Sequence, residues 1–437
     1  MAELSRTLNA RDVAFITAGT VIGSGIFLTP GGVLASSGGS VGLAIGVWTI
    51  GGILSLLGAL TYAELGCLKV GTGGLYAYIR DAFGPVAAFV YGWTLFVVIA
   101  SGSLATLGVA AGDNMAALIP GISPAGKKAV ALIMLAGLAF INARGTKAST
   151  RVLAGATVLK VLALAFLIVI LPLVGHGFSE VEQAPPTNWN GAMLSGGLVA
   201  MISVLWAYEG WQYATFVGGE VTDPQRNFPR GLLVGTGLVI VIYVLANIGY
   251  VAGLGPTALA GSTTVASDAV RAGVGPGAAK IIAIPVLVSI VSGAHGLMLT
   301  SSRVFFAMAR DGVFFKRLGE IHPRFETPAN SIVAMSVWAA VLALSGTFTI
   351  LLTYVVFVGW IFYGLGGLCV IAFRRKEPDA PRPFRVPGYP VTPLVFVASA
   401  AVIVLNTVIA NPVRGAIGVG GALLGLPIFY FWRRRAA

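Results

Sequence analysis

Apolar runs of about 20 residues recur from one end of this chain to the other. That is the length a helix needs to cross the hydrocarbon core of a bilayer. No water reaches that core, so a spanning segment must pair its own backbone groups. The runs therefore predict an all-α polytopic membrane protein. Composition agrees: 57% of the 437 residues are hydrophobic and only 10% charged, against about 25% charged in a soluble domain. Mean hydropathy is +0.89.

The net charge of +12 invites a nucleic-acid reading, but its distribution excludes one. Roughly 22 of the Lys and Arg residues fall in alternate loops, including Arg144–Arg151, Arg226–Arg230, Arg303–Arg324, Arg374–Arg385 and Arg433–Arg435. By the positive-inside rule these loops and both termini are expected in the cytoplasm of a cell with an inner membrane. The basic charge is a topology signal, with the lipid bilayer and not nucleic acid as its partner. Cys67 and Cys369 cannot make a disulfide framework. Three His and two Cys form no metal-ligand cluster, and no P-loop or nucleophile–base spacing occurs. Neither a metal, a cofactor nor an enzyme reaction is expected.

About twelve spans can be counted, within one transmembrane domain, 1–437. The first is Asp12–Ser36, the sixth Ala192–Glu220, the eighth Gly277–Arg303 and the tenth Phe348–Phe373. Gly175–Trp189 reads as an external connection and Arg374–Pro393 as a cytoplasmic one. Lys316–Pro328 has room for a short surface helix. No cleavable signal peptide is expected: the first span is too long, is followed directly by more spans, and reads as a permanent helix.

Two spans are interrupted. "GTVIGSGIF" (Gly19–Phe27) breaks the first, and "LWAYEGWQYATFVGGE" (Leu205–Glu220) breaks the sixth. They lie five spans apart, so they cross in opposite directions. Such a pair points to an inverted repeat with a binding site between its halves. The expected division is 11–175, 191–375 and a further helix pair at 390–433. Free N–H groups at the start of a half-helix attract anions, and free carbonyls at the end of one attract cations. A zwitterion with carboxylate and ammonium on one carbon would satisfy both. Gly23–Gly25 also has a second reading, close helix packing through small residues.

Lys160 in "ATVLKVLALAF" stands nine residues, about 13 Å, above Arg151. That is too deep for the side chain to reach the interface. It is either a fixed cation tying helices together or a proton carrier. Glu209 braces the sixth-helix break by accepting N–H bonds, contacts a substrate amine, or carries a proton. His295 is a packing residue or a relay. Glu64, Arg80 and Arg303 are expected to form ion pairs or gates near the cytoplasm.

These stretches, with "YAELGCLKVGTGGLYAYIRDAFGP", "LTSSRVFFAMARDG" and "RRKEPDAPRPFRVPGYPVTP", resemble the L-type amino acid transporter family of the amino acid–polyamine–organocation superfamily. The resemblance covers nearly the whole chain. It implies a LeuT-type fold, two inverted five-helix repeats plus two helices. It further implies amino acid transport by alternating access. It places the substrate at Val21, Ile22, Gly23, Ser24, Gly25, Trp206, Ala207, Glu209, Gly210 and Trp360. Amides around Ser24 and Gly25 would hold the carboxylate. Carbonyls near Val21 and Trp206, and that of Glu209, would hold the ammonium. Trp206 would act as a lid and Trp360 as an aromatic near the pocket. Lys160 would occupy the place of a sodium ion, with Ser301 and Ser302 nearby, and Gln212 and His295 would be accessory. Glu209 departs from the glycine of the family pattern.

The resulting expectation is sodium-independent exchange of neutral L-amino acids. The alternatives are a cationic amino acid or polyamine carrier using Glu209, a proton-coupled symporter, and a channel or sensor on the same fold. Animal relatives are joined to a heavy chain by a cysteine after the third helix. "GDNMAALIPGIS" (Gly112–Ser123) has none, so no disulfide-linked partner is expected.

Overall fold

A computed structural model describes residues 4–183, 191–345, 348–410 and 412–436. The external connection Gly175–Trp189 lies partly outside them. Among the described residues the regular structure is helical, and the extended backbone pairing is one isolated bridge.

Among the described residues twelve helical segments follow in chain order, ten of them long and apolar enough to cross a membrane. α1 is Ala10–Val21 followed, after a break, by Gly25–Leu28. α2 is Val41–Leu68. α3 runs Pro85–Thr94, a π-helical turn at Leu95–Ile99, then Ala100–Leu118. α4 is Pro124–Ala143 and α5 is Thr146–Val174. α6 is Gly191–Ala207, continued after a break by the 3-10 helix Trp211–Glu220. α7 is Pro224–Gly261, kinked at Gly255, and α8 is Pro276–Arg310. α9 is Ala329–Ser345, α10 is Phe348–Lys376 and α11 is Val391–Ala410. α12 is Pro412–Leu423 and Gly425–Ala436.

Short helices at Pro30–Ser36, Leu75–Phe83, Gly177–Gln183 and Val265–Gly273 join them. Lys316–Pro328 holds a single 3-10 turn, Lys316–Gly319. The amphipathic Leu75–Phe83 is too short and too polar to register as an apolar run, so sequence alone passes over it.

Burial sorts the spans. The most apolar windows of α1 and α3 are 72% and 78% buried, while that of α4 is 17% buried. The broken helix is thus central, and lipid-facing helices shield it. Lipid offers no hydrophobic drive for helix association, so close packing through small residues has to supply it. The contact between the two breaks illustrates this. A Cβ on Gly25 would stand 2.6 Å from that of Ala207, and one on Gly210 would stand 2.9 Å from the Val21 amide. Gly210 also has φ +133°, a backbone conformation that favours glycine.

The loops rich in Lys and Arg meet at one face. Leu8 pairs with Val221, and Thr7 and Leu8 donate to the Glu220 carbonyl. Arg303 pairs with Glu220 at 2.8 Å, and Arg374 with Glu64 at 2.7 Å. Arg80 pairs with Asp311 at 2.6 Å. Glu64 further accepts the Val386 amide at 2.7 Å, which fastens the chain beyond α10 to α2.

Candidate functional site

The first break begins where α1 runs out of helix formers. Ile22 takes φ −73°, ψ 89°, and the chain re-enters helix at Gly25. The carbonyls freed at the end of the first half are claimed from two directions. Lys160 Nζ donates to Gly19 O at 2.7 Å, to Ile22 O at 2.5 Å and to Ser292 Oγ at 2.7 Å. All three ammonium protons are thereby used. Ser289 Oγ lies 3.2 Å from Ile22 O and 3.0 Å from Gly23 O. The Tyr243 hydroxyl donates to Val21 O at 3.1 Å. Lys160 itself is fully buried. It stitches α5 to α1 and α8, the bridging arrangement that the family resemblance implies.

On the other side of the break the amides of Gly23, Ser24, Gly25 and Ile26 find no acceptor among the described residues. Those of Ser24, Gly25 and Ile26 are orphan donors of the second half-helix, and that of Gly23 stands just before its cap. Thr20 Oγ1, Ser24 Oγ and Ser103 Oγ are buried and likewise without partners.

In α6 the α-helix ends at Ala207, and Tyr208–Gly210 turn into the 3-10 segment. Gln212 Oε1 accepts the Gly210 amide at 3.2 Å, and Gln212 Nε2 donates to Glu209 Oε1 at 2.6 Å. The same oxygen accepts the hydroxyl of Tyr213 at 2.9 Å and that of Tyr363. Three donors therefore meet on one carboxylate oxygen, and none meets Oε2 among the described residues. The bracing expected of Glu209 was through backbone N–H groups. The structure corrects this: the donors are side chains, and Gln212 is the residue that satisfies the backbone. Tightly turned backbone aims its own amides elsewhere, leaving the carboxylate to the phenols around it.

The two breaks face a cavity of about 340 Å³. Val21, Gly23, Ser24, Gly25, Trp206 and Glu209 line it, joined by Thr20, Tyr213, Ser103 and Leu107 of α3, and Gly293 and Leu297 of α8. Ile22, Ala207 and Gly210 stand just outside. Ile22 lends its carbonyl to Lys160, and the other two form the contact between breaks.

Three expected residues fall elsewhere. Trp360 does not line the cavity. It packs behind it, with ring centroids 6.2 Å from Tyr363 and 5.7 Å from Phe396. Tyr363, one turn further along α10, is the residue that reaches Glu209. Ser301 and Ser302 are not beside Lys160. They follow Ser292 on α8 by nine and ten residues, about 14 Å along the axis. Ser302 Oγ instead donates to Leu299 O at 3.1 Å and accepts from Arg303 at 3.2 Å. The serines at the lysine are Ser289 and Ser292. His295 joins α4, α5 and α8: its Nε2 lies 3.0 Å from Ser149 O, and its Nδ1 3.2 Å from Asn142 Nδ2. Both ring nitrogens of this buried His are thereby engaged. Sequence reasoning missed Ser289, Ser292, Tyr243 and Tyr363. Only the small and polar positions of α8 on one helical face, Ser289, Ser292 and Gly293, hinted at the first two.

At least ten membrane-spanning helices built around two interrupted helices, with freed backbone groups turned on one cavity, make a multi-pass membrane transporter. The chain belongs to the amino acid permease family, whose profile matches residues 8–424. It is 34% identical over 430 residues to the large neutral amino acids transporter small subunit 2 of Mus musculus, covering 96% of this chain and 80% of that protein. It is 32% identical to the b(0,+)-type amino acid transporter 1 of Mus musculus, over 98% and 89% of the two chains. It is 31% identical to the serine/threonine exchanger SteT of Bacillus subtilis (strain 168), over 96% and 95%.

Proposed function

We propose that this transporter exchanges neutral L-amino acids across the cytoplasmic membrane by alternating access, without sodium. The observation that carries the reading is the pairing of free amides with accessible carbonyls at one cavity. The amides of Gly23 to Ile26 suit a carboxylate. The Val21 carbonyl accepts one hydrogen bond among the described residues, from the Tyr243 hydroxyl, and keeps a lone pair for an ammonium. The cavity is narrow, with glycine and serine at several lining positions, which favours modest side chains. Relatives named for large neutral amino acids and for serine and threonine support the substrate class.

Lys160 supplies a permanent positive charge at the break, so no metal cation is needed there. The rest of the reading follows from the spans. Residues 11–175 and 191–375 form the inverted repeats and 390–433 an added pair. The basic face and both termini are cytoplasmic. The chain works without a disulfide-linked heavy chain, since Gly112–Ser123 offers no cysteine.

A second reading rests on Glu209. Its free Oε2 belongs to a residue that lines the cavity. A side chain bearing a hydroxyl or a cation would find an acceptor there. Counterflow in proteoliposomes with a panel of labelled amino acids tests both. Exchange of neutral L-amino acids is expected. Absence of counterflow with every α-amino acid would refute the function, and preference for lysine or arginine would replace the first reading with the second.

A further inference from the structure

A second cavity, of about 800 Å³, opens on the outer side of α1, α5 and α7, away from the site above. Its walls include Phe15 and Ala18 of α1, Val158 and Leu162 of α5, and Val234 and Leu238 of α7. The last four are large, apolar and exposed. On spanning helices such residues face hydrocarbon, so the groove is filled by lipid tails and not by water.

The end of the groove nearer the basic face is cationic. Arg11 lines it. Arg151 precedes Val158 by seven residues and Arg230 precedes Val234 by four, so each stands on the same helix face as the groove, nearer its mouth. All three arginines are exposed, and none of their guanidinium groups makes an ion pair or hydrogen bond among the described residues. Asp12, beside Arg11, is committed to the helix cap through the Asn9 amide at 2.9 Å. Asp223 lies two turns before Arg230, across a neighbouring cleft.

We infer that this groove is a binding site for one anionic glycerophospholipid. An acyl chain lies between α1, α5 and α7, and its phosphate is held by Arg11 and Arg151 with Arg230 beside them. Guanidinium groups bind phosphate through paired N–H donors. Basic residues at this level attract anionic lipid. A second copy of the chain is a poor occupant, because it would set like-charged rims against each other. The site takes its interest from α1: a lipid seated there holds the first half of the broken helix against α5 and α7. The inference rests on the membrane-spanning architecture and on nothing about the substrate.

Native mass spectrometry of the purified protein, released from mixed phosphatidylglycerol and phosphatidylcholine, tests it without a transport assay. One retained phosphatidylglycerol per chain is expected, with phosphatidylcholine not retained. Arg11→Gln with Arg151→Gln is expected to weaken retention about thirtyfold. Val158→Trp, which fills the groove and leaves the arginines in place, is expected to abolish it. Both variants alter exposed positions, and an unchanged melting temperature checks that they fold. Equal retention of the two lipids, unchanged retention in the arginine variant, or a lipid-free dimer would overturn the inference. Failure of amino acid exchange would leave it standing.

Discussion

Lys160 ties the break in α1 to α5 and α8, and its chemistry follows from what it would leave behind. Removing the ammonium strands the Gly19 carbonyl in a buried place and leaves the Ile22 carbonyl and the Ser292 hydroxyl with one partner fewer each. A stranded buried group costs about 1–3 kcal/mol. Lys160→Ala is therefore expected to lower the melting temperature and to reduce exchange at least tenfold in counterflow. Normal exchange would refute its bridging role. Glu209 is different, because its three donors are neutral. Glu209→Gln keeps the size and loses the charge. On the leading reading it lowers the exchange rate and leaves the preference for neutral over cationic substrates unchanged. A shift in that preference, measured by competition with labelled substrate, would favour the second reading.

Sequence alone exposes both residues, since a charge deep in an apolar run cannot be hidden. It does not expose Ser292 or Tyr363, which are ordinary residues until a chain separation of 132 or 154 positions is closed.

At the scale of elements, the weak points of α1 and α6 are legible because glycine and polar residues disfavour helix in an apolar run. The competing readings of Gly23–Gly25, packing and binding, turn out to describe one arrangement. Gly25 packs against Ala207, and its amide remains free at the cavity. Gly25→Ala sets a new Cβ 2.5 Å from the Ala207 Cα, a backbone atom that cannot swing aside. A loss of about 1–3 kcal/mol is expected, read as a lower melting temperature and failed exchange. Ala207→Gly in the same chain is expected to recover part of both.

The 3-10 form of the second half of α6 was not legible. It depends on Gln212 reaching back to Gly210, a local bond that competes with ordinary helix. Nor was the displacement of Ser301 and Ser302 from Lys160, because axial position along a 35-residue helix is set by its packing partners.

Across the whole molecule, Arg303 and Glu220 form a buried ion pair that gathers three spans. Arg303 also donates to Thr146 Oγ1 at 2.7 Å and to Leu299 O at 2.6 Å. Breaking a buried pair on one side leaves an uncompensated charge and costs about 3–5 kcal/mol. Arg303→Met is expected to destabilise by that amount in thermal unfolding. The double variant with Glu220→Met is expected to lose less, since no charge is then stranded. The coupling reading belongs to this scale too. Replacing external sodium with choline is expected to leave uptake unchanged, and uptake that rises with a sodium gradient would contradict the role given to Lys160.

Hydropathy by itself determined the spans, because a bilayer admits only segments whose backbone pairs within itself. It also determined where two of them fail, and which charge lies too deep to escape. The tertiary structure alone decided which groups meet at the failures. Helices in lipid are positioned by close contact and by the need to satisfy every buried donor and acceptor. Those constraints act between residues far apart in the chain, so they brought Ser292 to Lys160, Tyr363 to Glu209 and Glu220 to Arg303 without marking any of them in the sequence.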